Sequence, residues 1–363
     1  MRGQVDSGNG SKASISFPHL VTLRRFGLFT CSFIRALEQV CCIFWRLPRR
    51  MDHHMIIGFL LLVFACSALG NTEEFHVSSP ELVEEINSLN VGWQATVYKQ
   101  FAEMNLKEAK QMLGSYGAWP KDSPPKVIKQ DIVSDIPGSF DARTKWPGSI
   151  HPIRNQEHCG SCWAFGASEA LSDRFAIASG NKIDVVLSAQ QLVDCDTDNS
   201  GCSGGYPIRA WQYMNEVGLL TVECYGPYVA QDQNCKFNST LKQCPSGQGV
   251  FQVYKAANAY AVQREVEAIQ SEIMTNGPVE ASFSVYSDFY SYKSGVYIHT
   301  SGTLVGGHAI KMLGWGRSAE GVDYWICANS WGAGWGMDGF FYIRRGTDEC
   351  GIESGITAGI PSL

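Results

Sequence analysis

Residues 159–163 read Cys159-Gly160-Ser161-Cys162-Trp163, two thiols three positions apart with a large aromatic after the second. A sulfur in the first turn of a helix meets free backbone N–H groups and the positive end of the helix dipole, and both favour its thiolate. A thiolate placed there can attack an electrophilic carbon. If Cys162 is the nucleophile, an imidazole must reach it from another part of the chain, with a third group holding the ring. A redox pair made of Cys159 and Cys162 is the competing use, and it would call for a small βαβ setting.

Both partners can be found downstream. His308 stands in Gly306-Gly307-His308-Ala309-Ile310, at the head of an apolar strand and behind two glycines that leave its ring open to a neighbouring surface. Asn329 follows in Trp325-Ile326-Cys327-Ala328-Asn329-Ser330-Trp331-Gly332. Its side-chain oxygen can accept one imidazole N–H and so fix the tautomer whose other nitrogen faces the sulfur. A single histidine on a strand is ordinarily structural. The combination with the two-thiol motif and Asn329 makes it a catalytic candidate.

These groups need elements to position them. Apolar periodicity predicts helices over 162–178, 188–193, 207–217 and 262–275. Stretches rich in β-branched and aromatic residues predict strands over 278–285, 307–315, 323–328 and 339–344. A helical half followed by a strand half is an α+β arrangement with a cleft between the two. Ahead of it, 81–113 carries a helical pattern, and Gly114, Gly117, Pro120, Pro124 and Pro125 then break it. That pattern reads as a small detachable unit and a linker.

The whole chain has 363 residues, 45% apolar and 18% charged, enough to bury a sizeable core. Its net charge of −6, without a long basic run, argues against a nucleic-acid partner. Met55 to Leu69 is an apolar run behind Arg46, Arg49 and Arg50, with the small residues Ala68 and Gly70 at its end. It is shorter than the about 20 residues that a membrane span needs, so 51–70 reads as a signal peptide rather than an anchor. Residues 1–50 carry no motif and read as an extension ahead of a natural start at Met51 or Met55. Secretion permits disulfides. Of thirteen cysteines, Cys31, Cys41, Cys42 and Cys66 precede the expected cut, and the odd remainder leaves at least one free thiol. No paired Cys-x-x-Cys layout points to structural zinc, and no cofactor is implied.

Taken together, these motifs resemble the papain-like cysteine proteases, and within them the cathepsin B branch. The resemblance runs from about Pro80 to the C-terminus. Gly277-Pro278-Val279-Glu280, Tyr292-Lys293-Ser294-Gly295-Val296-Tyr297 and Cys350-Gly351-Ile352-Glu353-Ser354 carry it, as does the short leader with Trp93-Gln94-Ala95. It implies a papain-like two-domain fold with a helical left half, a barrel-like right half and the cleft between them. It further implies Cys162 as nucleophile and His308 as its acid–base partner, resting as thiolate and imidazolium. Gln156 would be the side-chain donor of the oxyanion hole, Asn329 the orienting residue and Trp331 its shield. Gly204, Gly205 and Gly307 would bind an extended substrate. The implied disulfides are Cys159–Cys202, Cys195–Cys235 and Cys224–Cys244, with Cys327 and Cys350 buried and unpaired. Residues 71–135 would be an inhibitory propeptide, removed near Asp135, and 136–363 the mature peptidase. Peptide and protein substrates and cystatin-type inhibitors would be its partners, for a monomer in the lysosome or outside the cell.

Three departures from the cathepsin B pattern shape the expectation. The stretch from Cys224 to Cys235 is short and has no histidine, whereas that branch carries a long insertion with two histidines that captures a substrate's C-terminus. Gly355 stands where the branch has a glutamate at the base of the pocket for the residue two before the cut; without it a desolvated guanidinium is uncompensated. One bridge of the branch has lost both ends, the matching stretches reading Trp146-Pro147-Gly148 and Arg174-Phe175-Ala176, and the branch's Gln-Gly is Gln156-Glu157 here. The expectation is endopeptidase action with an apolar preference at that pocket. Asn238-Ser239-Thr240 is a glycosylation sequon, and His151, His158 and His299 are expected at the surface.

Overall fold

The structure, a computed structural model, describes residues 76–128 and 131–363; the expected extension and signal peptide lie outside them. Its N-terminal segment holds α1 (Pro80–Leu89), β1 (Trp93–Ala95), α2 (Lys99–Ala102), α3 (Leu106–Gln111) and β2 (Val127–Ile128). Next come β3 (Phe140–Asp141), α4 (Ala142–Lys145), α5 (Cys162–Ser179), α6 (Ala189–Cys195), α7 (Pro207–Glu216) and α8 (Val222–Tyr225). The remainder is β4 (Tyr260–Val262), α9 (Val266–Asn276), β5 (Val279–Tyr286), β6 (Tyr292–Tyr297), β7 (Leu304–Arg317), β8 (Asp323–Ala328), β9 (Phe340–Arg344) and β10 (Ile356–Ala358).

The helical pattern over 81–113 is not one unit but three short helices and a strand. Ser79 caps α1, its hydroxyl accepting the Leu82 N–H at 3.2 Å, and Asn90 in the left-handed region ends it. Asn105 and Glu108 close a capping box that starts α3 afresh. Val262, expected in a helix, instead ends β4, whose residues Tyr260-Ala261-Val262 favour extended backbone.

Helix α5 is buried from Cys162 through Ala176. It lies in the interior against α6, α7, β5 and β7, its charged residues Glu169, Asp173 and Arg174 buried with the rest. Gly180, in the left-handed conformation, ends it. Around it Trp163, Phe165, Leu171, Phe175, Trp211 and Met214 form the core of the helical half. The larger core of the strand half gathers Phe283, Phe289, Tyr290, Tyr292, Trp331, Trp335 and Phe341. Buried charge bridges the halves. Lys311 of β7 reaches Asp173 of α5 at 2.7 Å, while Arg174 gives hydrogen bonds to Glu272 and to the carbonyls of Gly277, Pro278 and Gly359.

The strands join one sheet in the order β1-β6-β9-β8-β7-β5-β10-β4-β2, with β3 on β7. This corrects the barrel-like expectation, because the sheet does not close. Its two end strands, β1 and β2, both come from the N-terminal segment and cover edges that would otherwise be bare. The surface expectation for His151 also fails. Its ring nitrogens lie between Asp173 at 2.7 Å and Asp184 at 2.9 Å, drawn inward by the buried carboxylate, whose hydrogen bond raises the imidazole pKa against the opposing effect of burial. His299 is partly covered, stacked on Tyr286 and bonded to Asp288, whereas His158 is exposed.

Candidate active site

Cys162 is the first residue of α5, and the side chain of His308 is on β7, the strand packed against that helix. Backbone N–H groups of Ala309, Gly114 and Trp163 converge on the Cys162 sulfur, so the residue next to His308 touches it. His308 Nε2 pairs with Asn329 Oδ1 at 2.8 Å. Its Nδ1 makes no protein hydrogen bond and is the ring atom left to serve the thiol. Trp331 lies over this pair with its ring centroid 5.0 Å from that of His308, which keeps water from the Asn329 bond. Tyr290 stacks on the other side of Trp331 at 4.8 Å.

Gln156 completes the group. Its Nε2 donates to the Cys159 carbonyl at 2.8 Å and to the Met112 carbonyl at 2.9 Å, and its Oε1 accepts from Ser330 Oγ at 2.6 Å. The amide is therefore fixed, with one N–H aimed at an oxygen brought in by the N-terminal segment. Glu157, after it, has φ of +52°, the left-handed conformation that suits the glycine of the resembled pattern. The Asn155 side chain holds this turn by accepting the Glu157 N–H at 3.0 Å.

The N-terminal segment runs across the site. Gly205 donates to the Gly114 carbonyl at 2.7 Å, Tyr116 donates to the Gly205 carbonyl at 3.0 Å, and Ser115 donates to the Gly307 carbonyl at 3.0 Å. The Cys162 sulfur meets an N–H of the segment, Gly114 donating to Sγ at 3.3 Å. This approach needs glycine, because a Cβ on Gly114 would fall 1.7 Å from the Gly160 oxygen. A Cβ on Gly307 or Gly204 would strike Ser115 or Tyr116 of the segment. Burial under it pushes the Cys162 thiol up to about 11, against the pull of the surrounding N–H groups, and lowers His308 to about 4. Both shifts run against the charged forms, so burial under the segment disfavours the thiolate–imidazolium pair expected of an open site.

Gly355 borders a pocket of about 490 Å³ with Ser282, Phe283, Gly306, Ala118 and Arg264. The short segment after Cys224 turns Tyr228 inward, where its hydroxyl lies 2.7 Å from Ser161 Oγ and donates to the Gln156 carbonyl at 2.9 Å. Cys159–Cys202, Cys195–Cys235 and Cys224–Cys244 are bonded, and Cys162, Cys327 and Cys350 are free. Cys350 is only partly buried, correcting the expectation, because it sits in a tight turn at φ of +53°. Asn238 is exposed in a loop. Ser330, Tyr228 and the Met112 carbonyl did not stand out in the sequence. Only the adjacency of Ser330 to Asn329 could have pointed to any of them.

The family model described as papain family cysteine protease matches residues 136–360. A cathepsin B-like cysteine proteinase 4 from Caenorhabditis elegans is 42% identical over 311 residues, covering 78% of this chain and 92% of its own length. A gut-specific cysteine proteinase from the same organism is 40% identical, over 83% of this chain and 98% of its own. Among solved structures, a procathepsin B S9 from Trypanosoma congolense superposes with a TM-score of 0.70 at 32% identity, over 79% of this chain and 99% of that one.

Proposed function

The chain belongs to the papain family of cysteine proteases, a cathepsin B-like peptidase, and from that premise we propose that it is a latent precursor whose mature form cuts internal peptide bonds. The carrying observation is the meeting of Cys162, His308, Asn329 and Gln156 under a strand of the chain's own N-terminal segment. Residues 71–135 act as the propeptide and 136–363 as the peptidase. With the segment gone, Cys162 attacks the substrate carbonyl while the tetrahedral oxyanion takes the Gln156 Nε2–H that Met112 occupied and the backbone N–H of Cys162. His308 takes the Cys162 thiol proton as the sulfur attacks and passes it to the leaving amine. It then takes a proton from the water that releases the acyl group from sulfur. Asn329 keeps His308 Nε2 engaged so that Nδ1 does this work.

Internal cutting is supported by the segment between Cys224 and Cys235, which has no histidine and packs Tyr228 against Ser161 and Gln156 rather than across the cleft. The pocket at Gly355 has no lining carboxylate and has Arg264 on its border, so a guanidinium guest finds no counter-charge. Apolar side chains two residues before the cut are the favoured guests. Substrates are peptides and proteins, with cystatin-type proteins as inhibitors of the monomer. A signal peptide over 51–70 sends the chain to the lysosome or outside the cell, with glycan at Asn238; among the described residues no helix is long and apolar enough to cross a membrane.

Cleavage-site profiling of the matured enzyme on a peptide library tests this reading. Internal cuts with apolar residues two before the bond are expected, and Cys162→Ser abolishes them. Release of C-terminal dipeptides with internal bonds left intact would give the carboxypeptidase reading instead. Intact peptides throughout would leave a non-catalytic binding protein.

A further inference from the structure

Tyr228 lies outside the reacting atoms, yet its hydroxyl joins the two strands of chain that carry the oxyanion donors. It donates to the Gln156 carbonyl at 2.9 Å and lies 2.7 Å from Ser161 Oγ, so the serine hydroxyl is its donor in turn. Gln156 supplies the side-chain donor. Ser161 immediately precedes Cys162, whose backbone N–H is the second donor. The tyrosine ring is itself held, edge-on to Phe165 at 4.7 Å, and Arg154 covers Phe165 at 4.6 Å.

The peptide that receives this bond is the one most in need of it. The Gln156 carbonyl belongs to the peptide bond that leads into Glu157, whose φ is +52°. A non-glycine residue held there is strained, and strained backbone persists only where its surroundings over-determine it. On the other flank Ser330 fixes Gln156, through its carbonyl to the Gln156 N–H at 2.8 Å and its hydroxyl to Oε1 at 2.6 Å. Without the Tyr228 bond, the Gln156–Glu157 peptide keeps only the Asn155 and Ser330 contacts and shifts toward an unstrained turn, moving the donor with it.

We infer that Tyr228 is a positioning residue for peptide hydrolysis, tethering the strained Gln156–Glu157 turn to the start of the nucleophile helix so that both oxyanion donors stay aimed. The inference rests on the peptidase reading above. Burial raises the phenol's pKa, so it remains a donor through neutral and acidic pH.

Tyr228→Phe removes only the hydroxyl. The matured variant is expected to lose about tenfold in kcat with KM unchanged, one well-placed hydrogen bond being worth about that much. Its alkylation by iodoacetamide, which displaces iodide from a saturated carbon and forms no oxyanion, is expected to keep the wild-type rate. In a Glu157→Gly background, where the turn costs little, the same substitution is expected to lower kcat about threefold or less. An unchanged kcat in Tyr228→Phe, alkylation falling in step with kcat, or a full tenfold loss in the glycine background would each overturn the inference. A matured wild-type enzyme that cleaves no peptide would overturn the peptidase reading and this inference with it; wild-type cleavage beside an unaffected variant overturns the inference alone.

Discussion

The two halves of the molecule hold their share of the site by different means. In the helical half, long irregular stretches join short helices, and all three disulfides of the described residues lie there. Cys159 anchors the turn before Cys162 to Cys202, and so the nucleophile side is fixed covalently. The strand half has no disulfide and both of the remaining free thiols, Cys327 and Cys350. It relies on β-ladders and an aromatic cage in which Phe289, Tyr290, Trp331, Trp335 and Phe341 meet edge to face or stacked. The N-terminal segment completes that cage with Phe101, 5.2 Å from Tyr290 and 5.5 Å from Trp331, and with Trp93 on Tyr297 at 5.2 Å. The N-terminal segment therefore adds aromatic packing on the side of His308 and Asn329, while toward Cys162 and Gln156 it contributes backbone hydrogen bonds.

The largest effect that would break this contrast is at Phe101. It is 1% exposed, and truncating such a ring in a packed cage costs about 3–5 kcal/mol. Phe101→Ala is expected to loosen the N-terminal segment by that order and hasten activation of the precursor. The matured enzyme, lacking the segment, keeps wild-type kcat/KM. Thiol labelling of Cys162 in the full chain at neutral pH measures the loosening. If labelling stays as slow as in wild type, the cage does not hold the segment.

Acid should act on the same side. Burial lowers His308 to about 4 from its ordinary 6.5. Uncovered His308 therefore binds more protons than covered His308 between pH 6.5 and 4. Stability of the covered state is then present above that window and is lost as pH falls through it, by at most roughly 3 kcal/mol. Hydrogen exchange of residues 106–116 in the Cys162→Ala full chain, corrected for intrinsic rates, should rise as pH falls from 6.5 to 4. The rise should flatten when His308→Gln is added. A profile that keeps its slope in the double variant would move the acid response to other groups.

How much of this could be read from the sequence follows from what kind of group does the work. Cys162, His308, Asn329 and Gln156 are side chains set in short, distinctive phrases, and the structure brings the four into one region. The long helix from Cys162 and the strands over 279–286, 304–317 and 323–328 have periodicity strong enough to be found within a few residues. The contacts of the N-terminal segment are different. The Met112 carbonyl and the Gly114 N–H are backbone groups, which every residue but proline supplies, so no residue type marks them. Strands β1 and β2, of three and two residues, are too short for a period-two pattern. They pair with partners far along the chain, so no local pattern marks them as the ends of an open sheet. Tyr228 is one aromatic in a short loop, and only the fold places its hydroxyl on the Gln156 carbonyl.

The smallest effect compares two strained turns, one in each half. Glu157 holds a left-handed turn with its backbone, the N–H donating to Asn155 Oδ1. Asp348, at φ of +51° in the strand half, holds its turn with its carboxylate, which accepts the N–H groups of Glu353 at 2.8 Å and Ser354 at 3.0 Å beside Gly355. Glycine relieves the backbone strain in both, about 1 kcal/mol against some added freedom of the unfolded chain. At Glu157 nothing of the turn's own bonding is lost, so Glu157→Gly should raise stability by about 0.5–1 kcal/mol. At Asp348 the same change removes three hydrogen bonds to the carboxylate, the third from the Ser354 hydroxyl, which together outweigh the strain relieved. Asp348→Gly should therefore lower stability and loosen the pocket at Gly355. Thermal melts of the two variants read this directly, and shifts of the same sign would show that side-chain bonding does not separate the turns.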